Sequence, residues 1–178
     1  MRVRARLDRR PLPAGRAEAP LPLGRLLAIP AGESSLARIG RCVEGAADYF
    51  RRNHSERQAV RVAAELLSDA LADPSRRLFV LEDAEGDPAG LLDLALDAPV
   101  PREATVALLV LDRRRRGLGL GREVAEALFA ELADAGFERV RLGVAPGEDD
   151  AARFWRAVGM WPCGEEEGVH LFERPLRA

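Results

Sequence analysis

Lysine is absent from this sequence, and all 27 Lys or Arg positions are arginine. A Schiff-base mechanism and a Walker A phosphate clamp both need a lysine ammonium group, so the composition excludes both. Cysteine is almost as scarce. Cys42 and Cys163 lie far apart in the chain, which fits neither a metal site nor the disulfide framework of a small secreted domain. We expect two reduced thiols.

The sequence also lacks any apolar run of 18 residues, and its first residues alternate with arginine instead of forming the apolar core of a signal peptide. These features predict a soluble, cytoplasmic protein without a membrane partner. The net charge of -2 and the pI near 5.8 argue against a nucleic-acid partner. A length of 178 residues with 47% hydrophobic residues is enough for one core.

Proline and the hydrophobic periodicity divide the chain. Residues 1–24 contain prolines at 11, 13, 20 and 22, and we interpret them as an N-terminal arm, flexible or forming an edge strand around residues 3–7. Residues 25–178 form the predicted domain. Its predicted elements are a strand at 25–29, helices at 34–52 and 55–73, strands at 77–82, 89–96 and 105–111, a helix after 121, a strand at 139–144, a helix at 150–158 and two C-terminal strands. This order predicts a mixed α/β domain, with a central mixed sheet flanked by about four helices.

The most informative segment is a glycine loop between an apolar strand and a helix. Glycines at 117, 119 and 121 leave backbone amides uncovered, and the following helix adds the positive end of its dipole. Such a loop is suited to a pyrophosphate, and Arg115, Arg116 and Arg122 add charge. An ordinary tight turn, a dinucleotide site with altered glycine spacing and a nucleic-acid patch are the alternatives.

Two segments resemble motifs of the GNAT (Gcn5-related N-acetyltransferase) superfamily. LLVLDRRRRGLGLGREV is similar to its R/Q-x-x-G-x-G/A motif, which Arg116, Gly119 and Gly121 match. DDAARFWRAVGM resembles the second acyl-CoA motif, in which the corresponding residues are Ala151, Phe154, Trp155, Gly159 and Met160. Counting the order of strands and helices, the resemblance covers roughly residues 25–175.

The resemblance implies a GNAT-like acyl-CoA N-acyltransferase fold and an acyl-CoA-dependent N-acetyltransferase that works through a direct ternary complex, with acetyl-CoA as acyl donor. It implies that the backbone of Leu109 and Leu111 binds the pantetheine chain, and that the loop binds the pyrophosphate. The residues assigned to the coenzyme are Leu109, Leu111, Arg115, Arg116, Gly117, Leu118, Gly119, Leu120, Gly121, Arg122, Glu148, Phe154 and Trp155.

The sequence departs from the family pattern where catalysis is concerned. Glu148 replaces the usual asparagine of the second motif, and Trp155 replaces a tyrosine that can protonate the thiolate, which leaves Tyr49 as the candidate acid. Thr105 stands where a glutamate base is common. We consider Glu103, on the same strand face, and Asp93 as bases, with a structural hydrogen bond as the alternative for Asp93.

Three functions therefore remain open. An N-acetyltransferase acting on a small-molecule or peptide amine is the first, and a catalytically reduced acyl-CoA-binding or regulatory module is the second. A nucleotide-binding protein is the third. No metal site is expected, since the two histidines have no neighbouring ligands. Proteins of this type often pair, which leaves a homodimer open.

Overall fold

The computed structural model describes residues 19–54 and 58–176. Within these ranges the chain forms eight β-strands and five α-helices. The strands are β1 (Leu21–Leu23), β2 (Leu26–Pro30), β3 (Arg76–Glu82), β4 (Pro88–Leu96), β5 (Glu103–Leu111), β6 (Arg139–Val144), β7 (Trp161–Glu166) and β8 (Val169–Pro175). The helices are α1 (Leu36–Gly45), α2 (Ala47–His54), α3 (Ala59–Ala72), α4 (Leu120–Asp134) and α5 (Asp149–Ala157).

One mixed sheet contains all eight strands, in the order β1-β2-β3-β4-β5-β6-β8-β7. Its pairs are antiparallel except β5 with β6, which are joined through α4 and run parallel. That parallel pair extends only over residues 103–105 and 139–141, and the rest of the two strands separates. The predicted mixed α/β sheet is confirmed, and it contains a V-shaped gap near its centre.

Helices cover both faces of the sheet. On one face α4 packs Val124, Leu128 and Leu132, spaced every four residues and fully buried. The opposite face of β3, β4 and β5 packs against α1, α2 and α3, in a second cluster that includes Ile39 and Phe50. Both layers therefore hold β5 in place along its length and leave its edge toward β6 open.

The helix predicted for residues 34–52 is broken into α1 and α2 at Ala46, whose backbone angles are φ -112° and ψ 28°. Gly45, next to the break, has weak helix propensity. A Cβ atom at Gly45 would lie 2.3 Å from an oxygen of Asp112, so only glycine allows this contact. The predicted start of the next helix at Ser55 and Glu56 lies outside the described residues, and α3 begins at Ala59.

Part of the predicted N-terminal arm belongs to the sheet. β1 is the edge strand next to β2, and Leu23 is fully buried. The strand considered for residues 3–7 lies outside the described residues. The turn after β1 brings Gly24, at φ +68°, against Glu123 of α4. None of the described helices has the length and apolar character needed to cross a membrane.

Candidate active site

The glycine loop has the geometry of an anion site. After a 3₁₀ turn at Arg113–Arg115, Gly117 and Gly119 adopt φ values of +76° and +82°, in the left-handed region that favours glycine. Gly119 is the N-cap of α4. The first amides of a helix have no acceptor within the helix, so the loop and α4 offer a group of N–H donors with a positive dipole end.

Arg25 braces this loop from the β1–β2 turn. Its Nη2 donates to the carbonyl oxygen of Leu118 at 2.7 Å, and its Nε lies 3.0 Å from both carboxylate oxygens of Glu123. The hydrogen bond from Arg25 lowers the pKa of Glu123. Sequence reasoning missed this brace, because 98 positions separate Arg25 from Glu123 and no motif connects them.

Arg116, the first residue of the family motif, holds α2 to the end of β5. Its Nε donates to the carbonyl oxygen of Leu111 at 2.9 Å, and its Nη1 and Nη2 donate to the two oxygens of Asp48 at 2.6 and 3.1 Å. These hydrogen bonds from Arg116 lower the pKa of Asp48. The guanidinium is thus occupied by protein groups in this structure, and a phosphate contact by Arg116 stays a prediction.

Arg115 and Arg122 also have partners within the chain. Arg115 Nη2 lies 2.5 Å from an oxygen of Asp83, the residue that directly follows β3. Arg122 Nη1 donates to the carbonyl oxygen of Ala157 at 3.1 Å and lies 3.5 Å from Glu126. Arg122 nevertheless lines the cleft described below, whereas Arg115 is not among its lining residues.

A cleft of about 660 Å³ runs from the loop toward the gap between β5 and β6. It is bounded by the end of β5, the loop, the first turn of α4, α5 and one side of α2. The lining residues are Asp48, Tyr49, Arg52, Leu109, Val110, Leu111, Arg116, Gly117, Gly119, Gly121, Arg122, Glu148, Asp150, Ala151, Phe154 and Trp155. Most residues assigned to the coenzyme from sequence are therefore brought together.

The backbone of β5 faces this cleft at alternate residues. The amide of Asp112 donates to Ala89 at the β4 edge, whereas the carbonyl oxygen of Leu111 points to the opposite edge and accepts from Arg116. Because backbone groups of successive residues point to opposite edges of a strand, Leu109 and Leu111 direct theirs into the gap. This orientation is the one that pantetheine binding would require.

A smaller cavity of about 80 Å³ lies in the gap itself, between residues 106–109 of β5 and residues 142–145, at the end of β6 and just after it. Tyr49, Glu148 and Trp155 line both this cavity and the larger cleft. Burial raises the pKa of Tyr49, and the nearby charge of Glu148 raises it further. Tyr49 is therefore a protonated phenol at neutral pH, placed where the cleft meets the gap.

Glu148 is paired across the cleft with Arg52 of α2. Arg52 Nε lies 2.9 Å from Oε1 of Glu148, and Nη2 lies 3.4 Å from Oε2. From the sequence, replacement of the usual asparagine by Glu148 puts a negative charge near the coenzyme. The structure balances it with an arginine 96 positions earlier, which sequence reasoning had not singled out.

Phe154 and Trp155 take different positions on α5. Phe154 is half-buried and lies against Gly121, where an added Cβ atom would be 3.4 Å from its ring. Trp155 is buried, with its ring centroid 4.9 Å from that of Phe154. Together they form the apolar wall of the cleft.

The two candidate bases lie elsewhere. Asp93 is fully buried on β4 and forms an ion pair with Arg76, and its pKa is raised because the effect of burial exceeds that of the arginine. Glu103 lies at the closed end of the V, 3.7 Å from both Arg139 and Arg141. Neither carboxylate is among the residues that line the cleft or the smaller cavity. In the described part of the chain, no group of three or more His, Cys, Asp or Glu residues could hold a metal ion.

The structure combines a glycine loop at a helix N-terminus with two parallel strands that diverge beside it. A comparison with known families supports the same assignment. A family model described as the acetyltransferase (GNAT) family matches residues 42–160, about two thirds of the chain. The chain belongs to the GNAT family. The match contains the glycine loop, both diverging strands and α5, and it confirms the resemblance inferred from the two sequence motifs. No curated protein matched this GNAT chain at a significant level.

Solved GNAT structures share the fold. An acetyltransferase from Thermus thermophilus superposes with a TM-score of 0.77 at 26% identity, over 86% of this chain and 98% of that one. A spermidine N-acetyltransferase from Vibrio cholerae, solved with CoA and spermine, gives 0.67 at 17% identity over 85% and 96%. RimL, a ribosomal L7/L12 alpha-N-protein acetyltransferase in complex with coenzyme A, gives 0.71 at 16% over 88% and 98%.

Proposed function

We propose that this GNAT protein is an N-acetyltransferase that transfers the acetyl group of acetyl-CoA directly to an amine. One observation carries the proposal. The glycine loop opens into a cleft that continues into the gap between β5 and β6, and Tyr49 and Glu148 line both spaces. A single ligand can therefore bind by its phosphates at one end and present a thioester at the other.

The residues present fit coenzyme A along the whole cleft. The loop amides and the first turn of α4 suit the pyrophosphate, as expected for an anion at a helix N-terminus. The edge of β5 at Leu109 and Leu111 offers backbone groups to the amides of pantetheine, and Phe154 packs beside its apolar part. The two arginine-carboxylate pairs of α2, through Asp48 and Arg52, hold that helix over the cleft.

The reaction needs one proton removed and one supplied. The amine nitrogen attacks the thioester carbon, the carbon–sulfur bond breaks, the ammonium proton leaves and the coenzyme thiolate gains a proton. We assign Glu148 as proton acceptor, directly or through water, and Tyr49 as proton donor, because both border the gap. A β5 amide near Leu109 stabilises the oxyanion.

Asp93 and Glu103 stay candidates from the sequence, but they are weaker than Glu148 because neither lines the cleft or the smaller cavity. Asp93 is enclosed with Arg76, and Glu103 lies between two arginines at the closed end of the V. The variants Asp93→Asn and Glu103→Gln decide the matter. If either one lowers kcat more than Glu148→Gln while the midpoint of thermal unfolding is unchanged, the assignment of Glu148 is wrong.

The charge near the cleft favours an acceptor with a single amine. Asp48 is paired with Arg116, Glu148 with Arg52 and Asp150 with Arg153, so the carboxylates are matched by arginines. The Vibrio cholerae relative acts on spermidine and RimL on a protein N-terminus. For this chain we propose a small monoamine or a peptide N-terminus as the acceptor, in preference to a polyamine.

Release of free thiol from acetyl-CoA tests the proposal, with a panel of monoamines, peptides and polyamines. We expect turnover with at least one monoamine or peptide, lost in Tyr49→Phe and retained in Arg61→Ala, which changes an exposed side chain of α3. Binding of CoA without turnover on any amine would instead support an acyl-CoA-binding module.

Binding has its own test, since a ligand at 100 times its Kd stabilises the folded state by about 2.7 kcal/mol. We expect thermal unfolding to shift with CoA and acetyl-CoA and not with NAD or ATP. If no CoA compound shifts the midpoint, the assignment of the cleft is overturned.

A further inference from the structure

A second cavity, of about 530 Å³, lies beside the coenzyme cleft and is not used by the proposed reaction. It is formed by the end of α1, the start of α2 and the 3₁₀ turn that follows β5. Four arginines, 41, 51, 113 and 114, line it, and we refer to it as the arginine pocket. Asp48 borders both spaces, so the Asp48–Arg116 pair forms the wall between them.

The four arginines of this pocket are exposed. Arg41, Arg51, Arg113 and Arg114 form no side-chain hydrogen bond or ion pair with any residue in the described ranges 19–54 and 58–176. The rest of the arginine run behaves differently, because Arg115 and Arg116 are both held by aspartates. The run is thus divided between two structural arginines and two that face the pocket.

The carboxylates of the pocket do not cancel this charge. Asp48 is neutralised by Arg116, while Asp112 accepts the amide proton of Arg114 at 2.8 Å. Glu44 is the third carboxylate. Four guanidinium groups therefore face two carboxylates, Glu44 and Asp112, that have no arginine partner among the residues the structure describes, in a chain whose overall net charge is -2.

Unpaired guanidinium groups around a concave surface repel one another unless an anion enters. A guanidinium binds a phosphate through two parallel hydrogen bonds, and a pocket of one sign raises the local concentration of the opposite ion. Arg51 comes from α2 and the pair 113–114 from the turn after β5, so one anion can contact both elements. Its charge must be compact and at least double to balance the surplus.

We propose that the arginine pocket binds a phosphate monoester, and that the bound phosphate fastens α2 to the turn after β5. Since α2 carries Tyr49 and Arg52 on its other side, occupancy of the pocket strengthens coenzyme binding in the adjacent cleft. Two sources carry this group: the ribose phosphate of coenzyme A itself, or a separate phosphorylated compound. Phosphate binding in the pocket rests on the proposed coenzyme site only for the first source, and its effect on coenzyme binding rests on that site for both.

Two double variants test the proposal. Arg51→Gln/Arg114→Gln removes one charge from each side of the pocket, and Arg61→Gln/Arg102→Gln removes two exposed charges away from both the pocket and the cleft. Calorimetry measures the Kd of coenzyme A and of its 3′-dephospho form. Thermal unfolding measures stabilisation by glycerol 3-phosphate, with and without saturating dephospho-coenzyme A. Potassium chloride keeps the ionic strength of all samples equal.

The outcomes separate the sources. If the coenzyme supplies the phosphate, the wild-type protein binds coenzyme A at least 10-fold more tightly than the dephospho form, and the pocket variant loses this preference. If a separate compound supplies the phosphate, coenzyme A and its dephospho form bind equally. Glycerol 3-phosphate then raises the unfolding midpoint above the value with dephospho-coenzyme A alone, in the wild type and in the control variant but not in the pocket variant. The proposal is overturned if neither effect depends on the pocket arginines. If glycerol 3-phosphate stabilises the protein but no form of the coenzyme binds, the proposed function is wrong, while phosphate binding in the arginine pocket is supported.

Discussion

Arg25 in the β1–β2 turn clasps Glu123 in the first turn of α4, with its Nε 3.0 Å from both carboxylate oxygens and its backbone amide 3.2 Å from one of them. The same guanidinium reaches the carbonyl of Leu118 in the glycine loop. An edge strand that carries no motif thereby shapes the anion site. It also neutralises a carboxylate that would face an incoming pyrophosphate.

Removing this brace should weaken coenzyme binding. In Arg25→Gln the Glu123 charge is unbalanced beside the loop, and we expect a Kd for coenzyme A raised about 3- to 10-fold. The double variant Arg25→Gln/Glu123→Gln should recover most of the affinity, because the repulsion is gone. If the double variant binds no better than the single one, Arg25 acts on the loop through Leu118 alone. Calorimetric titration measures both.

Replacing Tyr49 by phenylalanine should slow turnover and leave binding intact. A positioned proton donor contributes roughly 10²- to 10⁴-fold, so we expect a fall in kcat of that order or somewhat less, with the Kd of coenzyme A within twofold. Because the pKa of Tyr49 is raised above its usual 10, the wild-type rate should decline only at higher pH, and Tyr49→Phe should lack this decline. An unchanged kcat would exclude Tyr49 as the donor.

The variant Gly121→Ala should lower coenzyme affinity without lowering thermal stability. The added Cβ atom meets the Phe154 ring at 3.4 Å, which the side chain can accommodate, and alanine favours helix by about 1 kcal/mol over glycine. The methyl group nevertheless projects into the cleft, so we expect unchanged or higher thermal stability with coenzyme affinity lowered at least 10-fold. Gly32→Ala is the control, since a Cβ there meets nothing within 4 Å. Equal affinity in both variants would show that the ligand does not pass Gly121.

The Asp48–Arg116 pair predicts a pH dependence of stability. The pKa of Asp48 is lowered in the folded state, so its contribution is fully present above the ordinary value of 3.8 and is lost as pH falls through the lower folded value. Both side chains are about one third exposed, which limits the contribution to about 1 kcal/mol. The urea unfolding free energies of wild type and Asp48→Asn should therefore differ at pH 6, and the difference should shrink as the pH falls below 3.8. A difference that grows at low pH would contradict this sign.

The two thiols should react very differently. Cys42 is buried and its Sγ donates to the carbonyl of Gly90 at 3.3 Å, and burial raises its pKa to about 11. Cys163 is exposed on β7. Mass spectrometry should show one iodoacetamide adduct in the folded protein and two after denaturation. Turnover should survive this alkylation and Cys163→Ser, as expected for direct transfer; its loss would point to an acyl-enzyme.

Sequence reasoning found the parts of the fold whose cause is local. The four-residue spacing of Val124, Leu128 and Leu132 identified α4, and the apolar strand followed by alternating glycines identified the glycine loop that precedes it. These features depend on backbone preferences and on which side chains avoid water. Where the cause was a contact, as at Gly45 against Asp112, the predicted long helix was wrong and the chain broke into α1 and α2.

The sequence by itself determined the family, most of the order of the elements and the glycine loop, because glycine conformation and hydrophobic periodicity depend on neighbouring residues. Only the tertiary structure decided which carboxylates are engaged. It enclosed Asp93 with Arg76, placed Glu103 at the closed end of the V and joined Glu148 to Arg52 beside Tyr49. Ion pairs between residues far apart in the chain depend on how strands and helices pack, and no short segment records that arrangement.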